Sequence, residues 1–257
     1  MAAEWLKNAK DDPNRKPSMK TVRAYARDMA AGAWKLTGEA IKFGTNGMLL
    51  DGKQRMEAVV RSGATIDIFV LRGIDPGAQH VMDTGRKRSA ADDLAIQGET
   101  NTTLLAAVIK LAIGVEAGIS DPYRAEPTHT EILSFLEEHS DLRAACDFVR
   151  PLARRSDCPA TVAAYTYWVL AQIDRFDAAN FWLALADKTD LKGGDPVLAL
   201  SNRFAEIRRA HQTLPKNVWV SLIYRAWNAR RRGQEMRFIR VNSPGAGGGQ
   251  VPPPKPI

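Results

Sequence analysis

Cysteine is nearly missing: Cys146 and Cys158 are the two in 257 residues. They stand in neither Cys-x-x-Cys nor zinc-ligand spacing, so reduced thiols in a cytoplasmic protein are expected, without a disulfide framework. The four histidines, His80, His129, His139 and His211, are scattered without a His-x-x-x-His or His-Glu pattern. That removes the usual zinc and catalytic-histidine arrangements. No run approaches the roughly 18 apolar residues of a membrane span. The longest apolar stretch, Leu104 to Val115, is interrupted by Lys110 and Gly114. Met1-Ala2-Ala3-Glu4 lacks the charged-then-apolar order of a signal peptide, and Asp11-Asp12-Pro13 follows too early for one. Neither Gly-x-x-x-x-Gly-Lys-Ser/Thr nor Gly-x-Gly-x-x-Gly occurs, and no carboxylate cluster could hold two metals. Acidic residues are also in deficit, 29 against 36 Lys and Arg, a net charge of +7. This favours an acidic partner such as nucleic acid or a nucleotide. Apolar content of 45% and charged content of 25% are ordinary for a globular protein. The length suits one large domain or two small ones.

The most informative stretch runs from Met48 to Val60. Met48-Leu49-Leu50 reads as a strand end and Asp51-Gly52 as a tight turn. A helix follows with Met56, Val59 and Val60 on one face. Gly52 opens backbone conformations closed to other residues. The first turn of the next helix offers unpaired N–H groups and a partial positive charge suited to an anion. Lys53 and Arg55 add full charges there. The same pattern also serves as a plain strand-to-helix connection, and both readings stand at this point.

The surrounding order is a helix over about 18–32, a strand near Ala40-Ile41-Lys42-Phe43, a turn at Thr45-Asn46-Gly47, Met48-Leu49-Leu50, Asp51-Gly52-Lys53-Gln54-Arg55 opening a helix, and a strand Ile66–Leu71. This order resembles the N-terminal domain of the ParB/sulfiredoxin superfamily over roughly residues 12–95. The signature turn of that superfamily reads Gly-Glu-Arg-Arg in ParB and Asp-Gly-His-His-Arg in the related free-serine kinases. The resemblance implies an α+β protein: a ParB/sulfiredoxin-like α/β domain over 1–95. It also implies a site for a ribonucleoside triphosphate, CTP or ATP, with Mg²⁺. Carried over residue by residue, Gly52, Lys53, Gln54 and Arg55 would hold phosphates. Arg15 falls in the first nucleotide box, with Arg23 and Arg27 on the helix after it. Arg86 and Arg88 fall where ParB has its third box, in Met82-Asp83-Thr84-Gly85-Arg86-Lys87-Arg88-Ser89. Asp51 or Glu39 would act as metal ligand or base. The helix residues Arg23 and Arg27 read more simply as the solvated face of an amphipathic helix, and the basic run at 86–88 also reads as a solvated or DNA-facing patch. This chain has Lys53 where sulfiredoxins need a cysteine, which speaks against that activity. Glu of the ParB turn and two imidazoles of the kinase turn are also replaced, so phosphotransfer is not carried over intact.

Beyond a linker at 96–100 the strand signal stops and helical periodicity takes over. Helices are expected around Leu104 to Ile113, after Thr128 as cap, and over Leu142 to Leu152, Ala160 to Ile173, Ala178 to Leu185, Pro196 to Arg209 and Lys216 to Arg231. They form an all-helical domain of six or seven helices over 101–241, with Trp168, Trp182, Trp219 and Trp227 as core residues. The last helix gathers Arg225, Arg230, Arg231 and Arg232, and Arg237 follows. That density exceeds what helix-end capping needs and suggests a nucleic-acid or acidic-protein surface. No helix-turn-helix is evident. Residues 243–257 read as a disordered Gly/Pro tail.

Two functional readings follow. In one, the protein is a ParB-like nucleotide-binding protein, an NTPase, phosphotransferase or switch, in a DNA-associated process encoded by a phage or mobile element. In the other, the ParB-like domain is a catalytically silent scaffold and the protein works through DNA or a protein partner. The layout is similar to accessory proteins of actinobacterial phages that act in recombination or DNA modification. No membrane partner is expected.

Overall fold

A computed structural model of the chain describes residues 1–8, 17–82, 88–119, 122–189, 191–240 and 253–257. The described residues are α+β, with eleven α-helices and one three-stranded sheet. They divide into two compact units, Met1–Ser89 with Glu126–Ile132, and Ala90–Ala125 with Leu133–Ile257.

The first unit contains α1 (Ala2–Asn8), α2 (Met19–Ala30), β1 (Ala40–Gly44), β2 (Leu49–Asp51), α3 (Lys53–Ser62) and β3 (Phe69–Ile74). The sheet order is β2-β1-β3, with β1 antiparallel to β2 and parallel to β3. Ser18 caps α2 by accepting the Thr21 amide at 3.4 Å, the role its position suggests. The helix α3 buries two sides. Met56 joins Ile41, Phe43 and Leu49 beneath α1, whereas Ala58 joins Val22, Ala26 and Met29 of α2. Residues two apart on a helix point about 200° apart, so one short helix serves both clusters. The third strand begins later than the run Ile66–Leu71 suggests. Ile66 and Ile68 pack beside the two clusters, and pairing starts at Phe69 because β1, its partner, starts at Ala40. The segment after Asp75 is a 3-10 helix, Pro76–Val81.

Arg27 lies on the exposed face of α2, as the solvated-face reading expects, and is paired there within the protein. It donates to Glu131 Oε1 at 2.9 Å and to the Glu126 carbonyl at 2.6 Å. Thr128 and Glu131 form a reciprocal capping box at the start of α6 (His129–Glu138). The Thr128 amide donates to Glu131 Oε2 at 2.6 Å, and Thr128 Oγ1 accepts the Glu131 amide at 3.1 Å. The Thr128 hydroxyl then donates to Asp28 Oδ1 at 2.7 Å. Burial works against the charged form of Glu131. The Arg27 guanidinium and the Thr128 amide outweigh it and hold the carboxyl below its ordinary value. Burial raises Asp28 instead.

The second unit is helical: α4 (Ala90–Ile96), α5 (Thr102–Glu116), most of α6, α7 (Leu142–Arg155), α8 (Ala160–Ile173), α9 (Arg175–Asp187), α10 (Pro196–Arg209) and α11 (Lys216–Arg231). Among the described residues no strand lies within 127–230. The helix α4, which the sequence places at the end of the first domain, groups here. Glu99, within the expected linker, is fixed by the Arg143 guanidinium at 2.6 Å, whose hydrogen bonds hold its carboxyl below the usual range. Trp182 and Trp227 are fully enclosed, and Trp168 and Trp219 are buried. Among the described residues, no helix is long and apolar enough to cross a membrane.

The capping box generates a pH prediction. Glu131 has a depressed pKa, so its contribution is present above the ordinary carboxylate range and is lost as pH falls through the depressed value. Asp28, whose pKa is raised, has the opposite sign, so the two must be separated by mutation. Glu131→Gln should cost about 1–2 kcal/mol at neutral pH, discounted because the side chain is partly exposed. It should also flatten the acid limb of stability. Urea denaturation from pH 3 to 7 measures both.

Candidate functional site

The turn between β2 and α3 is built around Gly52. It is buried, with φ of 102°, and serves as the residue before the first turn of α3. A Cβ at this position would lie 2.5 Å from Ile41 Cδ1 and 3.1 Å from Ile41 Cα. The backbone therefore passes against β1 where a side chain would block it. This close approach lets α3 start directly from the end of β2 and places Arg55 one helical turn after Asp51.

Arg55 folds back over the sheet with its side chain only 12% exposed. Its Nη1 donates to Glu39 Oε2 at 3.2 Å. Its Nη2 donates to the Ala40 carbonyl at 2.9 Å and to Asp51 Oδ2 at 3.1 Å. Lys42 Nζ reaches the same Asp51 oxygen at 3.1 Å. Two cations and two carboxylates thus form one network along the ends of β1 and β2. Two polar atoms of the α3 first turn, Arg55 Nε and Gln54 Oε1, are buried without a hydrogen-bond partner among the described residues. Lys53 and Gln54 are half-buried beside them.

The sheet register sets what lies next to this network. Phe69 pairs with Ala40 and Leu71 with Lys42. Alternate side chains point to opposite faces, and Ile41 and Phe43 face the core. Phe69 and Leu71 therefore share the Lys42 face, and they are 53% and 48% exposed. An apolar ledge adjoins the charged network. On the other face Arg72 lies 4.5 Å from the Phe43 ring centroid and 5.6 Å from that of Trp5. Sequence reasoning passed over Phe69 and Leu71; an alternating strand with apolar residues on both faces was the available signal.

The remaining candidates are distributed as follows. Asp51, Gly52, Lys53, Gln54, Arg55 and Glu39 lie in one neighbourhood. Arg88 is exposed, and Arg15 and Arg86 lie outside the described residues. Among the described residues, no group of three or more His, Cys, Asp and Glu is placed to hold a metal ion. In the C-terminal cluster, Arg231 is committed within the protein. It pairs with Asp174 at 3.3 Å and with Asp177, and lies 5.5 Å from the Trp227 ring centroid. Arg225 donates to the Arg240 carbonyl at 3.0 Å. Arg230, Arg232 and Arg237 are exposed. Comparison with protein-family models, with curated proteins and with solved structures finds no match to this chain.

The Gly52 geometry is testable against a control. Gly32 also has a positive φ, 68°, but a Cβ there meets nothing within 4 Å. Gly32→Ala should cost only the left-handed strain, about 1–2 kcal/mol. Gly52→Ala adds the collision with Ile41, for a total of about 2–5 kcal/mol. Chemical denaturation of the two variants reads the difference directly.

Proposed function

We propose that the first unit is a ParB-like binding module for a nucleoside triphosphate with Mg²⁺, CTP or ATP, in a protein that works on or beside DNA. The observation that carries this reading is the juxtaposition on one sheet face. Lys42 and Asp51, with the Arg55 guanidinium bonded to Asp51, share that face with the exposed Phe69 and Leu71. A nucleotide has the matching halves, a polyanion and a flat, weakly polar base. The network as it stands is internally neutralised, so a triphosphate must displace part of it. Glu39, 67% exposed, is the carboxylate with least to lose on moving. Mg²⁺ binding needs only one or two carboxylates besides phosphate oxygens, and Glu39 and Asp51 supply that number. Asp51, which already takes Lys42 and Arg55 on one oxygen, holds Arg55 in position. Lys53, Gln54 and the Gly52 turn border the phosphate end, and Arg88 is a further exposed cation of the same unit.

The scaffold reading is supported by a different observation: both Nη atoms of Arg55 are already engaged within the protein, by Glu39, the Ala40 carbonyl and Asp51. On that reading the turn is a structural rivet and the protein acts through its partners. Titration calorimetry with each ribonucleoside triphosphate and Mg²⁺ separates the two. Nucleotide binding predicts saturable heat that Arg55→Ala weakens roughly tenfold to hundredfold, the usual effect of losing a charged hydrogen bond. Phe69→Ala should weaken it by a smaller factor while leaving inorganic triphosphate binding unchanged. Absence of heat at millimolar nucleotide would leave the scaffold reading in place.

DNA contact, if made through α11 and the residues after it, falls to Arg230, Arg232 and Arg237 rather than to the committed Arg231. Replacing those three with Ala should reduce the slope of log affinity against log salt by about 2–3, near 0.9 for each phosphate no longer neutralised. Arg231→Ala should instead lower thermal stability and leave that slope nearly unchanged. Fluorescence anisotropy with a duplex over a salt series checks both.

A further inference from the structure

Residues 253–257, within the stretch that composition assigns to a disordered tail, lie on α11 and are held there through their backbone. Asn228 uses both ends of its side-chain amide. Nδ2 donates to the Lys255 carbonyl at 2.8 Å, and Oδ1 accepts the Ile257 amide at 3.1 Å. Trp227 Nε1 donates to the Ile257 carbonyl at 2.7 Å. We infer that the α11 face around Trp227 and Asn228 is a recognition site for an extended, proline-containing peptide of a partner protein, with residues 253–257 occupying it in cis as a built-in competitor.

Three features make this a built site. Its polar groups are enclosed with the segment in place, Trp227 at 1% and Asn228 at 8% exposure, and the indole is held from within the helical unit as well. The indole is clamped by Phe181, edge-on at 5.7 Å, and by Arg231 above its ring at 5.5 Å, so its N–H has one direction in which to donate. Second, a buried primary amide must satisfy both donor and acceptor. A carbonyl at one residue and an N–H two residues later meet both needs in an extended chain. Third, the residue between those two is Pro256. It has no N–H to leave unsatisfied, its ring fixes φ, and it forces Lys255 into extended backbone. Residue–Pro–residue is therefore the backbone that fits at least conformational cost, as in other grooves that read polyproline conformation.

Pro253, Pro254 and Pro256 are half-buried, while the hydrogen bonds from Trp227 and Asn228 all go to the backbone of the segment. Lys255 is exposed and Ile257 is 42% exposed. Recognition thus rests on backbone hydrogen bonds and on the covered prolines, and a foreign segment with prolines in the same places competes on equal terms except for tethering. The tether, residues 241–252, gives the cis segment an advantage in effective concentration. A partner peptide must overcome that advantage through contacts of its own flanking residues.

The test uses the full chain and a labelled synthetic peptide with the sequence of residues 249–257, followed by fluorescence anisotropy. A full-length variant with Pro254→Gly, Pro256→Gly and Ile257→Gly has its own segment weakened. It should bind the peptide saturably, at least tenfold more tightly than the wild type. Adding Asn228→Ala should abolish binding. Asn228→Asp, which keeps the acceptor and loses the donor, should weaken it at least tenfold and covers the case in which the alanine variant does not fold. In the wild type, hydrogen exchange should show the Ile257 amide protected, and Asn228→Asp should reduce that protection. Absence of peptide binding by the glycine variant at millimolar concentration would overturn the proposal, as would binding indifferent to Asn228. Concentration-dependent dimerisation abolished by the Asn228 variants would assign the site to a second copy of this chain and overturn it equally.

Discussion

The first unit depends on one side chain that reaches back. Arg55 leaves the first turn of α3 and bonds to Glu39, the Ala40 carbonyl and Asp51, so it ties the helix to both strands it follows. It reaches them because Gly52 lets the backbone turn tightly against Ile41. The order of cause runs from a missing Cβ, through an abrupt strand-to-helix turn, to a guanidinium held across strand ends. A side chain at 52 would collide with Ile41 unless the turn or β1 shifts.

The same arrangement constrains function. In water-exposed ion pairs the Coulomb gain is small and offset by lost side-chain freedom. Here Arg55 is largely covered and one of its carboxylate partners, Asp51, is held in β2, so the guanidinium is preorganised whether or not a ligand comes. Preorganised donors are what phosphate recognition uses. They are equally what a structural rivet uses. The exposed apolar pair Phe69 and Leu71 is what the proposed nucleotide site uses and a rivet does not.

Much of this was readable from the sequence where the physics is local. Pro159, Pro196 and Pro215 punctuate the chain, and α8, α10 and α11 begin at or directly after them, as the sequence suggests. Ser18 and Thr128 were legible as caps for the same reason. The Asp51–Arg55 pairing is also local, four residues apart on one turn. Glu39 and the Ala40 carbonyl were not legible as its partners, since only the pairing of β1 with β2 brings them there. The start of β3 was misplaced because the reach of a ladder is set by the partner strand. Arg231 looked like part of a nucleic-acid patch because Asp174 and Asp177 are 57 and 54 residues away in the chain. The hold of Asn228 on residues 255 and 257 is invisible to composition, which sees only glycine and proline.

The central claim is that the Arg55 network receives a nucleotide. The most direct measurement follows the Arg55 Nε–H resonance and the backbone amides of Gly52, Lys53 and Gln54 in ¹H–¹⁵N spectra while a ribonucleoside triphosphate with Mg²⁺ is added. Arg55 Nε has no hydrogen-bond partner among the described residues, so it reports any rearrangement of the guanidinium. The account predicts saturable shifts of these four signals with at least one of CTP and ATP. Signals that stay in place at millimolar nucleotide would contradict it.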